Sequence, residues 1–363
     1  MDLEDLFREV LKDFSVYEPG EQPEEEGWIK LNTNENAFPP IPEVIEELKK
    51  AIENGDLIRK YPDAIALEVR KAILNQLLRD KDTLTNRNTV FIGHGSDEIL
   101  DIIFKIFIDP GDEVVVFYPT YGLYKVLATL YNAKITEVKL NEDFSLPSTA
   151  FNQKGKLLFL NSPNNPNGRS FNNADIKKLC DSFQGIVVVD EAYAEFSETT
   201  CLPLLKHTKN LIVTRSFSKG FSLASLRIGY ALADATIIKE MNNVKLPYNT
   251  NLLAQVAALS SIKHRTKIYA QNQKIIDERK RITEELNKFT GISVEPSDAN
   301  FIFIKFEDKS TTLKFLWDLK DLKILVRHFS KPGLYNYLRM TIGNKEENEK
   351  FLNAFKGIAA KYL

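Results

Sequence analysis

Four short apolar runs set the strongest limit on how this chain folds: EVVVFY (113–118), KLLFLN (156–161), GIVVVD (185–190) and LIVT (211–214). Each is short for a helix and too continuously apolar to keep one wet face, so each reads as a strand covered on both sides. Helical stretches lie between most of them, and RIGYALA (227–233) adds another strand. Strands alternating with helices over roughly 200 residues predict an α/β fold with a mostly parallel central sheet.

The alternation starts upstream, near residue 42, with PEVIEELKKAIENG and IALEVRKAILNQLL as helices and a further helix after GHGSDE (93–98). An acidic loop, EQPEEEG (21–27), separates these from an N-terminal helix. Beyond Pro247 a long polar helical run reaches residue 288 and leads into FIFIKF, a helix, KILVRHF, YLRMTIG and a last helix, which read as a second α+β lobe. A chain of 363 residues suits two lobes, because single cores stop growing near roughly 250–300 residues. The expected division is a large domain at 39–248 and a small one made of 1–38 and 249–363.

Lysine and arginine (48) nearly balance aspartate and glutamate (50), which leaves no broad field to attract nucleic acid or an anionic membrane. No apolar run approaches the ~18–20 residues that span a bilayer. The segment MDLEDLFREV is acidic and amphipathic rather than basic then apolar, so a cytoplasmic protein acting on a small molecule is expected. Cys180 and Cys201 are too few for a disulfide framework. Together with His94, His207, His264 and His328 they show no metal-ligand spacing, so no metal site is expected.

In an open α/β sheet, ligands sit beyond the carboxyl ends of the strands. There GHGSDE has the small residues and hydroxyl of an anion site at a helix N-terminus, although alone it reads as an ordinary helix capped by Ser96 or Asp97. SPNNPNG (162–168) reads as a tight turn. Asp190 ends an apolar strand, where a carboxylate needs a cation or several donors; a salt bridge or a helix cap explains it as well as a functional role does. Lys219 follows LIVT through RSFS and could simply run its stem along the surface. Arg227 is harder to place, because LASL precedes it, IGYALA follows, and no acidic residue lies within six positions on either side. Its anionic partner must come from elsewhere in the fold or be a ligand. A buried lysine, a carboxylate, an anion cradle and an arginine together fit pyridoxal 5′-phosphate, whose aldehyde takes a Schiff base and whose phosphate needs donors.

The order GHGSDE, YPTYG, SPNNPNG, VVDEAY, SFSKGFSLASLRIGY and YLRMTIG resembles the class I and II aminotransferases of pyridoxal-phosphate fold type I. LNTNENAFPP, the YPD at 61–63 and RHFSKPGLYNYLRMTIG look most like the histidinol-phosphate aminotransferases. The resemblance runs from about Tyr17 to the end. It implies that Lys219 forms the Schiff base and shuttles the α-proton, that Asp190 pairs with the pyridine nitrogen, and that Asn165 and Tyr193 hydrogen-bond the phenolic oxygen. Tyr121 would stack on the ring. The amides of Gly95 and Ser96, with Ser216, Ser218 and Arg227, would hold the phosphate, and Tyr61 would reach in from the other subunit of a homodimer. Arg339 would bind the carboxylate of glutamate, and Tyr17 and Arg327 with Arg339 the phosphate of a phosphorylated substrate; Asn36 is expected on the substrate side. Tyr17, Tyr61 and Tyr121 also read as core or interface aromatics, and Arg327 as an exposed strand arginine.

The implied reaction exchanges an amino group between glutamate or 2-oxoglutarate and a phosphorylated amino alcohol or ketone, with histidinol phosphate first. Dihydroxyacetone phosphate giving serinol phosphate, and decarboxylation of a phosphoamino acid, are the alternatives. The chain also departs from the family. Threonines are usual where Asn167 and Ser216 stand, glycines where Ser222 and Ser225 stand, and asparagine or a small residue at His94. A serine replacing glycine needs a permissive backbone angle, so the loop near Arg227 is where local geometry is expected to differ.

Overall fold

The computed structural model describes residues 3–12, 14, 16–77 and 89–363. The chain enters through 3-10 turns at Leu3–Leu6 and Glu9–Leu11 and reaches β1 (Ile29–Lys30). Helices α1 (Pro42–Glu53), α2 (Gly55–Ile58) and α3 (Leu67–Ala72) follow, with a π-helical turn at Ile73–Leu77. Then come β2 (Val90–Gly93), α4 (Gly95–Phe107), β3 (Glu113–Tyr118), α5 (Leu123–Leu130), β4 (Lys134–Lys139), β5 (Leu157–Asn161), α6 (Asn173–Ser182), β6 (Ile186–Asp190), β7 (Leu211–Ser216), β8 (Gly229–Leu232) and α7 (Ala235–Val244). These strands form one seven-stranded sheet in the order β2-β8-β7-β6-β5-β3-β4. The four apolar runs are β3, β5, β6 and β7, and their central residues are buried on both faces.

Every pairing in this sheet is parallel except the two made by β8. A parallel connection needs a crossover long enough to carry a helix. Between β7 and β8 there is only a short loop with a 3-10 turn at Ala224–Leu226, so the chain folds straight back. That return loop is RSFSKGFSLASLRIGY.

The remaining elements are α8 (Leu252–Lys263), α9 (Arg265–Leu286), β9 (Ile292–Glu295), β10 (Phe301–Phe306), α10 (Lys309–Asp321), β11 (Ile324–Leu325), β12 (Arg327–His328), β13 (Tyr337–Thr341) and α11 (Lys345–Tyr362). An antiparallel sheet in the order β12-β13-β10-β9 packs against α9, α10 and α11. The N-terminal segment joins this part, because β1 pairs in parallel with β11 and the Thr341 amide donates to Leu31 O at 2.8 Å.

Several expectations are corrected. The run after Pro247 is two helices that part at His264, not one. The N-terminal helix is replaced by two 3-10 turns; Met1 and Asp2, and Leu78 at the end of IALEVRKAILNQLL, lie outside the described residues. Strands β4 (KITEVK) and β9 (ISVE) went unread, because both are edge strands whose outward residues are polar, leaving no continuous apolar run. Among the described residues, no helix is long and apolar enough to cross a membrane.

Candidate active site

The parallel register sets Asn161, Asp190 and Thr214 side by side at the carboxyl ends of β5, β6 and β7. Asp190 is 3% exposed and accepts from the Tyr124 hydroxyl at 2.7 Å, the Thr214 hydroxyl at 3.1 Å and the Ala192 amide at 3.2 Å. All three donors are neutral. Burial pushes the Asp190 carboxyl up to about 6, against the pull of those hydrogen bonds. A buried carboxylate with only neutral donors is a place where a cationic group of a ligand gains a partner.

The return loop carries Lys219 over this row. Its Nζ donates to Thr33 O at 3.2 Å, its carbonyl accepts from Asn36 Nδ2 at 2.8 Å, and the Gly220 carbonyl accepts from Asn272 Nδ2 at 3.1 Å. Burial, and next the nearby Arg339 guanidinium, bring the Lys219 ammonium down to about 8. A lysine so depressed has a neutral amine within reach near physiological pH, the form that attacks a carbonyl.

An anion cradle lies beside it. Gly95 has φ +76, a backbone angle that demands glycine, and its missing side chain lets the Arg227 guanidinium lie against it, 2.7 Å from where a Cβ would stand. Ser96, Ser216 and Ser218 line the same cleft. The reading of GHGSDE as a helix capped by Ser96 or Asp97 is corrected: α4 begins at Gly95 after His94, whose amide is bound by the Glu98 carboxylate. Asp97 is thereby left to face the cleft, where it accepts from Arg227 Nη2 at 2.9 Å and from the Tyr121 hydroxyl at 3.2 Å. Arg227 is accordingly not an isolated buried cation. Its side chain is 36% exposed, because β8 starts only at Gly229 and Arg227 sits on the turn before it.

Opposite the cradle stand two further guanidinium groups. Arg339, on β13 and 7% exposed, donates to Asn165 Oδ1 and to Asn32 O at 2.9 Å, and its Nε is buried without a partner. Arg327 donates to the carbonyls of Pro19 and Glu18, both at 3.1 Å. Both therefore bond only neutral oxygens, and burial, chiefly, lowers the pKa of Arg339. The cleft between them and Lys219 has a volume of about 1080 Å³, room for a cofactor and a small substrate, and guanidinium groups in this state bind carboxylate or phosphate in a bidentate manner.

Residues 26–355 match the family Aminotransferase class I and II. The chain belongs to that family. This aminotransferase is 38% identical to a histidinol-phosphate aminotransferase of Caldanaerobacter subterraneus over 98% of this chain and 99% of that one. It is 37% identical to a histidinol-phosphate aminotransferase of Geotalea uraniireducens over 94% and 96%. Its fold matches the crystal structure of the histidinol-phosphate aminotransferase from Sinorhizobium meliloti with a TM-score of 0.87 at 20% identity, covering 98% of each chain. The pyridoxal-phosphate fold type I expected from the sequence is the fold observed.

In the aminotransferase the cleft gathers Tyr17, Ser96, Tyr121, Asn165, Asp190, Tyr193, Ser216, Ser218, Lys219, Arg227, Arg327 and Arg339. Gly95 stands directly behind Arg227. Asn36 does not line the cleft; its side chain grips the Lys219 carbonyl. Tyr61 is 80% exposed and stacks on Tyr248 with centroids 4.4 Å apart, outside this chain's cleft. Among the departures, Ser222 does adopt a left-handed φ of 60, whereas Ser225 is exposed and has no such angle. Asn167 is fully buried and its Nδ2 has no partner, and His94 is exposed.

Sequence reasoning missed three groups. Tyr124 reads as one more apolar position of an amphipathic helix. Asn34 sits in LNTNEN, where only the density of asparagines is unusual. Glu191 and Arg215 form a buried ion pair at 2.6 Å that ties the end of β6 to β7; each neighbours a residue singled out, but their pairing is a tertiary fact.

Proposed function

We propose that this aminotransferase uses pyridoxal 5′-phosphate to exchange an amino group between glutamate or 2-oxoglutarate and histidinol phosphate or its ketone, imidazole acetol phosphate. The observation that carries the reading is that Arg339 and Arg327, neither bonded to a carboxylate, open onto the same cleft as the depressed Lys219. Arg339, deep on β13, suits the carboxylate of glutamate; Arg327 and Tyr17, nearer the surface, with Arg339 suit a phosphate. The names of the two relatives support histidinol phosphate over dihydroxyacetone phosphate, and transamination over decarboxylation of a phosphoamino acid.

The donor set fits the cofactor. Pyridoxal phosphate, when bound, supplies an electron sink that lets the α-proton of an amino substrate leave. Lys219 would hold the cofactor's aldehyde carbon and, once a substrate amine displaces it, its freed amine would take the α-proton and return it. Asp190 would hold a proton on the ring nitrogen, giving its buried carboxylate the cation that its three neutral donors do not supply. Asn165, whose Oδ1 is occupied by Arg339, would offer its Nδ2 to the ring oxygen, and Tyr193 its hydroxyl. Ser96, Ser216, Ser218 and Arg227, with the Gly95 amide, would bind the phosphate, and Tyr121 would cover the ring and keep water from it.

The proposal includes a homodimer, supported by the exposed Tyr61, which stacks on Tyr248 outside this chain's own cleft and would enter the partner's. It also includes the two domains at 39–248 and at 1–38 with 249–363, supported by the β1–β11 pairing. The cytoplasm is the proposed compartment, supported by two buried free cysteines. The test is incubation with pyridoxal phosphate, histidinol phosphate and 2-oxoglutarate. Formation of glutamate that is lost in Lys219→Ala is expected. Turnover of a smaller amino-alcohol phosphate with none of histidinol phosphate would overturn the substrate, and protein that takes up no pyridoxal phosphate would overturn the cofactor.

A further inference from the structure

We propose that Asn34 and Thr341 are positioning residues that aim the hydroxyl proton of Tyr193 into the cleft. The inference rests on the proposed cofactor, whose ring oxygen would receive that proton as a hydrogen bond. Asn34, Thr341 and Tyr193 are 1%, 3% and 5% exposed, so water cannot freely substitute for any bond among them. The Asn34 backbone amide donates to Thr341 Oγ1 at 2.9 Å. The Thr341 hydroxyl spends its own proton on Asn34 Oδ1 at 3.2 Å. With Oδ1 so occupied, Asn34 Nδ2 faces Tyr193 and donates to its oxygen at 2.9 Å.

The direction of these bonds is what matters. An amide NH₂ group has no capacity to accept, so the Tyr193 proton cannot be spent on Asn34 and is left for the cleft that Tyr193 lines. Turning the amide over would give Thr341 two donors and leave its own proton unspent in a buried site, which costs a hydrogen bond. The backbone allows no easy escape either. Asn34 is held at a left-handed φ of 57, with its carbonyl bound by Asn300 Nδ2 at 3.1 Å. In the same cleft, Arg339 occupies Asn165 Oδ1 and leaves that side chain also as a donor. The two groups expected at one oxygen are therefore both set as donors by residues behind them. Burial holds the Tyr193 phenol up to about 12, with Arg339 and the Asn34 bond pulling it down, so the proton to be aimed is present at neutral pH.

The test uses the holoenzyme and follows the visible absorbance of bound pyridoxal phosphate against pH. A bond donated to the ring oxygen stabilises the form in which that oxygen is anionic, so losing the donor raises the midpoint. Thr341→Val keeps the shape but removes the hydroxyl, freeing the amide to turn and capture the Tyr193 proton. It is expected to raise the midpoint by about one pH unit, the scale of one hydrogen bond to a charged group. Thr341→Ser keeps the hydroxyl and is expected to titrate as the wild type does. Asn34→Asp, which puts an acceptor opposite the phenol, is expected to move the midpoint up at least as far. In a Tyr193→Phe background Thr341→Val is expected to add nothing. A midpoint unmoved by Thr341→Val, a shift in Thr341→Ser instead, or a Thr341→Val shift that persists without the Tyr193 hydroxyl would overturn the inference. Wild-type protein without any titrating absorbance would instead overturn the proposed function on which it stands.

Discussion

The hydroxyl of Tyr124 donates to Asp190 Oδ2 at 2.7 Å from a side chain with no exposed surface. It is one of three bonds that keep the carboxylate charged against its burial, and it also fixes the plane in which the carboxylate faces the cleft. Tyr124→Phe fills the same volume but removes that donor. Asp190 then shifts further up, and the affinity of the apo-protein for pyridoxal phosphate falls by about tenfold, as for one hydrogen bond to a charged group. Equilibrium titration with the cofactor measures this, and an unchanged Kd would show the bond to be idle.

Asp190 itself is a cost to the empty protein. Its folded pKa of about 6 lies above the ordinary aspartate value, so the folded state holds the proton more tightly than the unfolded one. Its contribution to stability therefore declines as pH rises from about 4 to 6. Asp190→Asn keeps one acceptor oxygen, for Thr214 and the Ala192 amide, and presents its NH₂ group to the Tyr124 oxygen as the protonated carboxyl would, so it carries no charge. The apo-protein is expected to gain on the order of 2–3 kcal/mol at pH 7 and nothing near pH 4, while losing cofactor affinity. Urea unfolding of apo-protein at several pH values gives the comparison; equal stability of the two at pH 7 would rule the burial cost out.

The division between what the sequence shows and what it hides follows burial and distance. Strands β3, β5, β6 and β7 are covered on both faces and betray themselves as unbroken apolar runs, whereas β4 and β9, at sheet edges, do not. The residues proposed to carry the chemistry are legible because their motifs lie at strand ends in a recognisable order. Their partners were not. Asp97 and Arg227 are 130 residues apart, Tyr124 and Asp190 are 66, and Asn34 and Tyr193 are 159. Nothing local marks Asp97 as the anion that Arg227 required, since in sequence it looks like a helix cap.

Ser222, at the position where the resemblance expects glycine, carries a local backbone cost. Its φ of 60 lies in the left-handed region, which costs a residue with a Cβ roughly 1–2 kcal/mol. Ser222→Gly relieves this but adds freedom to the unfolded chain, an offset of about 0.5–1 kcal/mol. The net expectation is a gain of about 0.5–1 kcal/mol in unfolding free energy. Ser225→Gly, at an exposed position with ordinary backbone, is expected to destabilise slightly. Chemical denaturation of both variants checks the contrast, and it fails if the two move stability in the same direction.

If Lys219 captures the cofactor as proposed, its titration sets the pH at which the empty protein can do so. Only the neutral amine attacks a carbonyl, so the rate of capture rises as the ammonium loses its proton. With Lys219 lowered to about 8, the rate constant for uptake of pyridoxal phosphate by apo-protein should climb through a midpoint near pH 8, where an ordinary lysine would titrate above ~10. Arg339 is the leading charged neighbour behind that shift, after burial itself. Removing its positive charge in Arg339→Gln makes the Lys219 ammonium easier to keep, so the midpoint moves to higher pH while burial holds it below the ordinary lysine value. Stopped-flow absorbance across pH 6–10.5 separates the two contributions. A wild-type midpoint near ~10 would deny that the cleft depresses Lys219 at all, and an Arg339→Gln midpoint at or below that of the wild type would assign the whole effect to burial.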